Sequence, residues 1–221
     1  MRIGILGTGM VGNTLASKLV EGGHEVMMGS RTRDNEKAVA WTKSAGARAS
    51  QGTFADAAQF GEVVFNCTSG GKSIEALRQA KAAELGDRIL IDVSNPLVFA
   101  AGSPPTLSVS NTDSLAEEIQ REFPNLRVVK ALNTVNASIM VNPALLPGDH
   151  DLFICGNDEN AKAKVARGLT DWFGWAPQNI IDLGDITAAR GMEMWLILWI
   201  RMMFAFKTPM FNLHIVRASA P

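Results

Sequence analysis

The chain has 221 residues, 47% of them hydrophobic, and a formal net charge of −1. That length suits one domain plus an extension, and the apolar fraction suffices for a large core. Near-neutral charge argues against nucleic acid as a partner.

Met1–Leu6 is a short apolar run that reads as a buried strand opening the chain, with no signal or transit sequence expected before it. Gly7-Thr8-Gly9-Met10-Val11-Gly12 fits G-x-G-x-x-G. Val11 to Glu21 then follows helical spacing, Gly22-Gly23 ends it, and Glu25–Gly29 reads as a second strand. In that order of strand, glycine turn, helix and strand, the first glycine makes a tight turn. The second admits a pyrophosphate, and the third lets helix and strand pack closely, with the helix N-terminus facing the phosphates. Inside such a unit the motif is specific; alone it is not.

A carboxylate about 20 residues downstream would select NAD by holding the ribose 2′-hydroxyl. The segment "MMGSRTRDN" (27–35) carries Ser30, Arg31 and Arg33 there instead, with Lys37 just beyond. Guanidinium groups fork onto phosphate oxygens, so these residues point to the 2′-phosphate of NADP(H).

The remaining elements alternate. Asp34–Ala45 reads as a helix, Ala47–Ala49 as a short strand, Phe54–Phe60 as a helical turn and "EVVFNC" (62–67) as a strand. Ser73–Leu85 reads as helical, "RILIDV" (88–93) as a strand and Ser114–Phe123 as a helix. "LRVVKAL" (126–132) and "HDLFICG" (150–156) read as strands, then Glu159–Phe173 as a helix and "NIIDLG" (179–184) as a strand. A last helix begins near Thr187. This alternation predicts an α/β fold, a doubly wound, mostly parallel Rossmann sheet with a small C-terminal helical cap. The expected organisation is a dinucleotide-binding domain over 1–186 and a cap and dimerisation segment over 187–221. The irregular linker Leu97–Thr112 is long enough to be functional.

Ligands of such sheets sit outside the carboxyl ends of the strands. Cys67, Thr68 and Ser69 follow one strand, Asn95 and Pro96 another, and Ala131 and Asn133 a third. The first three are candidate neighbours of the nicotinamide ribose. Asn133 suits a carboxamide or an acceptor carbonyl, with turn or cap roles as the alternative. "NCTSGGKS" (66–73) looks like a P-loop, but Asn66 stands where that motif needs glycine.

The fingerprint, "GSRTR", "SNPL" and "VVKALNTV" together resemble the coenzyme F420-dependent NADP oxidoreductase family, and the oxidoreductase domain of the STEAP proteins is similar too. The resemblance runs from Met1 to about Ala205. It implies hydride exchange between NADP(H) and a deazaflavin (F420) or flavin, with Thr8, Ser30, Arg31 and Lys37 holding the adenosine and phosphate end. The pattern departs at Leu132, where an aromatic residue is expected, and at "CTSGG", where a Val-Pro type loop is expected.

Hydride transfer to a flat ring needs placement more than acid–base help. The chain has no tyrosine, which excludes a Ser-Tyr-Lys arrangement. Lys130 and Glu193 are proton-donor candidates, with ion pairing, for Glu193 to Arg190, as the alternative. No catalytic residue is assigned, and no cluster has metal-ligand spacing. The alternatives to a flavin-type reductase are an NADPH-binding redox sensor without turnover and an imine or ketone reductase. Cys67 and Cys155 each end an apolar run, as structural thiols of a reduced, cytoplasmic protein do. The apolar stretch 192–206 contains Glu193 and Arg201 and is short for a membrane span. It reads as a buried helix whose Trp195 and Trp199 surface makes a homodimer.

Overall fold

The computed structural model describes residues 1–102 and 104–218, so Ser103 of the expected linker and residues 219–221 of the expected cap lie outside the described residues. Arg2–Leu6 (β1) is buried from Ile3 to Leu6, as a strand covered by helices on both faces must be. The glycine turn leads into Met10–Glu21 (α1), whose Leu15, Ala16 and Leu19 pack on the sheet. Glu25–Ser30 (β2), Glu36–Ala45 (α2), Ala49–Thr53 (β3), Phe54–Phe60 (α3) and Val63–Asn66 (β4) follow. Asn35 caps α2, its Oδ1 accepting from the amides of Lys37 and Ala38 at 3.1 and 3.2 Å. The expected turn at 54–60 is a full helix because Thr53 and Asp56 form a reciprocal capping box.

The chain continues through Ser73–Gln79 (α4), Ile89–Asp92 (β5), a two-stranded hairpin of Leu97–Val98 (β6) and Thr106–Leu107 (β7), and Leu115–Glu122 (α5). The expected helix over 73–85 stops at Gln79. Lys81 adopts a left-handed φ of 54°, and a 3₁₀ turn at Ala82–Glu84 completes the segment. Good helix formers fill this stretch, so tertiary packing overrides propensity here. Arg127–Ala131 (β8), Ala137–Val141 (α6), Leu152–Gly156 (β9), Glu159–Phe173 (α7), Ile180–Asp182 (β10) and Ala189–Phe206 (α8) complete the fold.

The eight-stranded sheet runs β10-β9-β8-β5-β4-β1-β2-β3. Its β3-β2-β1-β4-β5-β8 portion is the doubly wound dinucleotide-binding order, with the switch point between β1 and β4. All these neighbours pair in parallel, whereas β9 runs antiparallel to β8. Two apolar layers flank the sheet, one centred on Leu15, Phe65, Ile91 and Val129, the other on Leu77, Leu90, Ile119 and Val128. Ile186, Ala189 and Met192 belong to the second layer, so the first turns of α8 pack into the sheet's own core.

The C-terminal tail turns back across this helix. Phe211 stacks on Trp199 at 5.2 Å, and Asp151 receives the amide of Ile215 at 2.6 Å. Met194, Leu198, Phe204 and Phe206 nonetheless stay exposed. Among the described residues no helix is long and apolar enough to cross a membrane.

Candidate active site

The three fingerprint glycines have three different surroundings. Gly7 ends β1 at φ +120°, and a Cβ there would lie 2.6 Å from the Cys67 carbonyl oxygen. A Cβ on Gly12 would lie 2.2 Å from the Gly7 carbonyl oxygen, so helix and turn touch backbone to backbone. Gly9, the N-cap of α1, has nothing within 4 Å of its Cβ position. No side chain caps the first turn of α1, and no acidic residue lies in it. The middle glycine thus leaves an approach open to amides at the positive end of a helix dipole, which is where a pyrophosphate binds.

A cavity of about 370 Å³ opens beside this turn. Gly7, Thr8 and Gly9 form one wall, Ser30, Arg31 and Asn35 a second, and Cys67, Thr68 and Ser69 a third. Ser30 is nearly buried at the end of β2, its hydroxyl on the Thr32 carbonyl. Arg31 is exposed and, among the described residues, makes no ion pair. Burial pushes the Cys67 thiol well above its ordinary pKa and Asp92 adds to the shift, so it is held as a neutral thiol. Cys155 is likewise pushed up to about 12 by burial. Both are free thiols.

Two expected phosphate ligands, Arg33 and Lys37, do not line this cavity. Arg33 pairs with Asp56 at 2.8 Å, and that carboxyl is held below the usual range chiefly by its hydrogen bonds to Thr53, with Arg33 assisting. Lys37 is exposed on α2 and does not line the cavity. The capping box at α3 presents a carboxylate to Arg33, and of the segment that starts α2 only the cap residue Asn35 lines the cavity. Phe54, Lys72 just before α4, and Glu75, Ala76 and Gln79 on α4 complete the cavity, none of which the sequence reading named as a site residue. Their i, i+3, i+4, i+7 spacing is a legible signal once that helix is placed beside the fingerprint.

Behind the cavity a buried polar chain crosses the sheet. Thr68 donates to Asn66 Oδ1 at 2.7 Å, Asn66 Nδ2 to Asp92 Oδ1 at 2.8 Å, and Lys130 Nζ to Asp92 Oδ2 at 2.7 Å. Lys130 also donates to Glu193 Oε1 at 2.8 Å, and Glu193 accepts from the Leu115 and Ala116 amides at 2.9 and 3.1 Å. Burial works to lower the Lys130 ammonium, but Asp92 and Glu193 outweigh it and hold it above its ordinary value. Glu193 is therefore not the partner of Arg190, which forks onto Glu117 at 2.6 and 2.9 Å instead.

Asn133 is 2% exposed. Its Nδ2 donates to Asn95 Oδ1 at 2.9 Å and to the Met192 carbonyl at 3.0 Å, while Asn95 Nδ2 donates to the Asn133 carbonyl at 3.0 Å. These two amides lock the ends of β5 and β8 to α8. Asn133 Oδ1 is buried without a partner. Leu132, between β8 and this amide, sits at φ +64°, a strained conformation for a branched side chain. Such strain costs about 1–3 kcal/mol and persists where the surroundings over-determine the backbone. Ala131 and Pro96 are buried beside the pair, Met10 is exposed at the start of α1, and Val11 packs against the core. None of these lines the cavity. Among the described residues no cluster of His, Cys and carboxylate side chains could hold a metal.

Fold, glycine turn and open Arg31 define a dinucleotide-dependent oxidoreductase of the doubly wound class. A model of the family "NADP oxidoreductase coenzyme F420-dependent" matches residues 2–96. The F420-dependent NADP reductase of Methanocaldococcus jannaschii is 30% identical over 203 residues, covering 87% of this chain and 88% of that protein. The chain belongs to the F420-dependent NADP oxidoreductase family and is an NADP-dependent oxidoreductase. Rat metalloreductase STEAP3 is also 30% identical, over 200 residues, but the chain spans only 36% of its length. The crystal structure of a candidate F420-dependent NADP-reductase from Arthrobacter sp. FB24 superposes with a TM-score of 0.92 at 48% identity, covering 98% of this chain and all of that one. A reductive aminase from Aspergillus terreus, solved with NADPH, shares the fold at 16% identity and a TM-score of 0.64, over 93% of this chain and 63% of that one.

Proposed function

We propose that the protein is a cytoplasmic reductase that moves a hydride between NADP(H) and a flavin or deazaflavin (F420) ring. The cofactor supplies the hydride. The Gly7–Gly12 turn takes the pyrophosphate, and Thr8, Ser30 and Arg31 take the 2′-phosphate. Cys67, Thr68 and Ser69 line the path toward the nicotinamide, whose open face lies toward Asn95, Pro96 and Asn133. The names of the relatives from M. jannaschii and Arthrobacter support F420 as the acceptor.

One observation carries the choice of acceptor. The two proton donors that a ketone or imine reductase would call on, Lys130 and Glu193, are wholly buried on one another. A flat ring that accepts hydride by stacking and orientation needs neither. The deciding measurement is NADPH oxidation with F420, FMN, FAD, ferric chelates, ketones and imines in parallel. Fast turnover is expected with F420 or a flavin and slow turnover with ketones and imines. The reverse pattern would overturn the acceptor, and tight NADPH binding without turnover would favour a redox sensor.

Residues 187–221 serve in this reading as the acceptor-side cap and the contact between two copies. Met194, Leu198 and Phe204 stay exposed on α8, and Phe206 is exposed although Phe211 of the tail packs edge-on against it; exposed apolar patches mark interfaces. Light scattering is expected to give a dimer; a monomer at micromolar concentration would reject it.

A further inference from the structure

We infer that Lys72, and not a residue of α2, supplies the second cation for the 2′-phosphate and sets the margin by which NADPH is preferred to NADH. The inference rests on the NADP assignment of the cavity. Lys72 lines the same cavity as Ser30 and Arg31. Arg33 rests on Asp56, and neither Arg33 nor Lys37 lines the cavity. The charged side chains that line the cavity are therefore Arg31, Lys72 and Glu75.

Those three decide the local balance. Arg31 and Glu75 cancel, so Lys72 gives the cavity its one net positive charge. NADPH and NADH differ only in a phosphate that carries nearly two negative charges near neutral pH, comparable to other phosphate monoesters. Without Lys72, a phosphate held by Arg31 would meet the Glu75 carboxylate with nothing to offset it.

The ammonium is placed but not committed. Its resting partner is Glu75 at 3.3 Å, with both side chains largely exposed. Such a pair is worth about 0–1 kcal/mol, so a dianion outcompetes it. The base of the side chain is fixed. A Cβ on Gly70 would lie 2.0 Å from the Asn95 carbonyl oxygen, so the loop rests directly on the end of β5. Gly71 meets nothing within 4 Å, which leaves the Lys72 turn room on its outer side. The P-loop likeness of "NCTSGGKS" is thereby explained: Gly70 serves a close backbone contact, and the lysine serves a phosphate on a ribose.

The test is equilibrium titration of NADPH and NADH, and of 2′,5′-ADP against 5′-AMP, with the wild type, Lys72→Ala, Lys72→Arg and Glu75→Gln. Lys72→Ala is expected to lose about tenfold in affinity for NADPH and 2′,5′-ADP, as for one charge-assisted hydrogen bond, with NADH and 5′-AMP little changed. Lys72→Arg should keep the preference, and Glu75→Gln should raise it. A Lys72→Ala protein with the wild-type NADPH to NADH ratio would overturn the assignment of Lys72 and leave the cavity's NADP assignment standing. Equal affinities in the wild type would overturn that assignment itself.

Discussion

Replacing Lys130 by methionine is expected to destabilise the protein by about 3–5 kcal/mol, the cost of breaking a buried ion pair from one side. Methionine matches the length of the lysine stem but leaves Asp92 and Glu193 facing each other without a counter-charge. Glu193 would keep only the α5 amides and Asp92 only Asn66 and Ser94. Denaturant unfolding measures the loss. Adding Glu193→Gln should recover part of it by removing one unpaired charge, although the α5 amides then lose a charged acceptor. A Lys130→Met protein within 1 kcal/mol of wild type would show that water reaches this chain of contacts. The pH dependence has a definite sign. Asp92 and Glu193 hold the folded ammonium above its ordinary value. The stabilisation is thus complete below the unfolded lysine value of ~10.4 and is lost as pH rises through the higher folded one. Lys130→Met should lack this alkaline loss.

Arg31→Ala is expected to weaken NADPH binding by roughly tenfold to a hundredfold, the worth of one to two charge-assisted hydrogen bonds to phosphate. NADH binding should change far less. Arg33→Ala separates the structure from the sequence reading, which gave both arginines to the phosphate. Arg33 lies on Asp56 outside the cavity, so its loss should leave the NADPH to NADH ratio near wild type. Fluorescence titration of the two variants decides the matter. A larger loss in Arg33→Ala than in Arg31→Ala would mean that cofactor binding pulls Arg33 away from Asp56.

The sequence by itself determined the parts whose causes are local. The β1–glycine turn–α1–β2 unit was legible because strand, spaced glycines, helix and second strand follow one another in a single continuous segment. α7 was legible from Glu159 to Phe173 because the Asp158 cap, the helical spacing and Gly174 all lie in one continuous segment. An arginine in place of an acid after β2 was legible as a preference for NADP for the same reason. Tertiary structure decided the rest. The antiparallel setting of β9 leaves no mark in an apolar run, since strands buried on both faces read alike in either direction. The break after Gln79 runs against the helix propensity of the residues that follow. Lys130 meets Glu193 across 63 positions and Asp92 across 38. Arg33 is drawn to a carboxylate 23 residues away, and Lys72 comes from a different strand's loop to line the same cavity as Arg31. A charge selects its partner by distance in space, and periodicity, caps and turn residues carry no record of that distance until the sheet has brought the strand ends together.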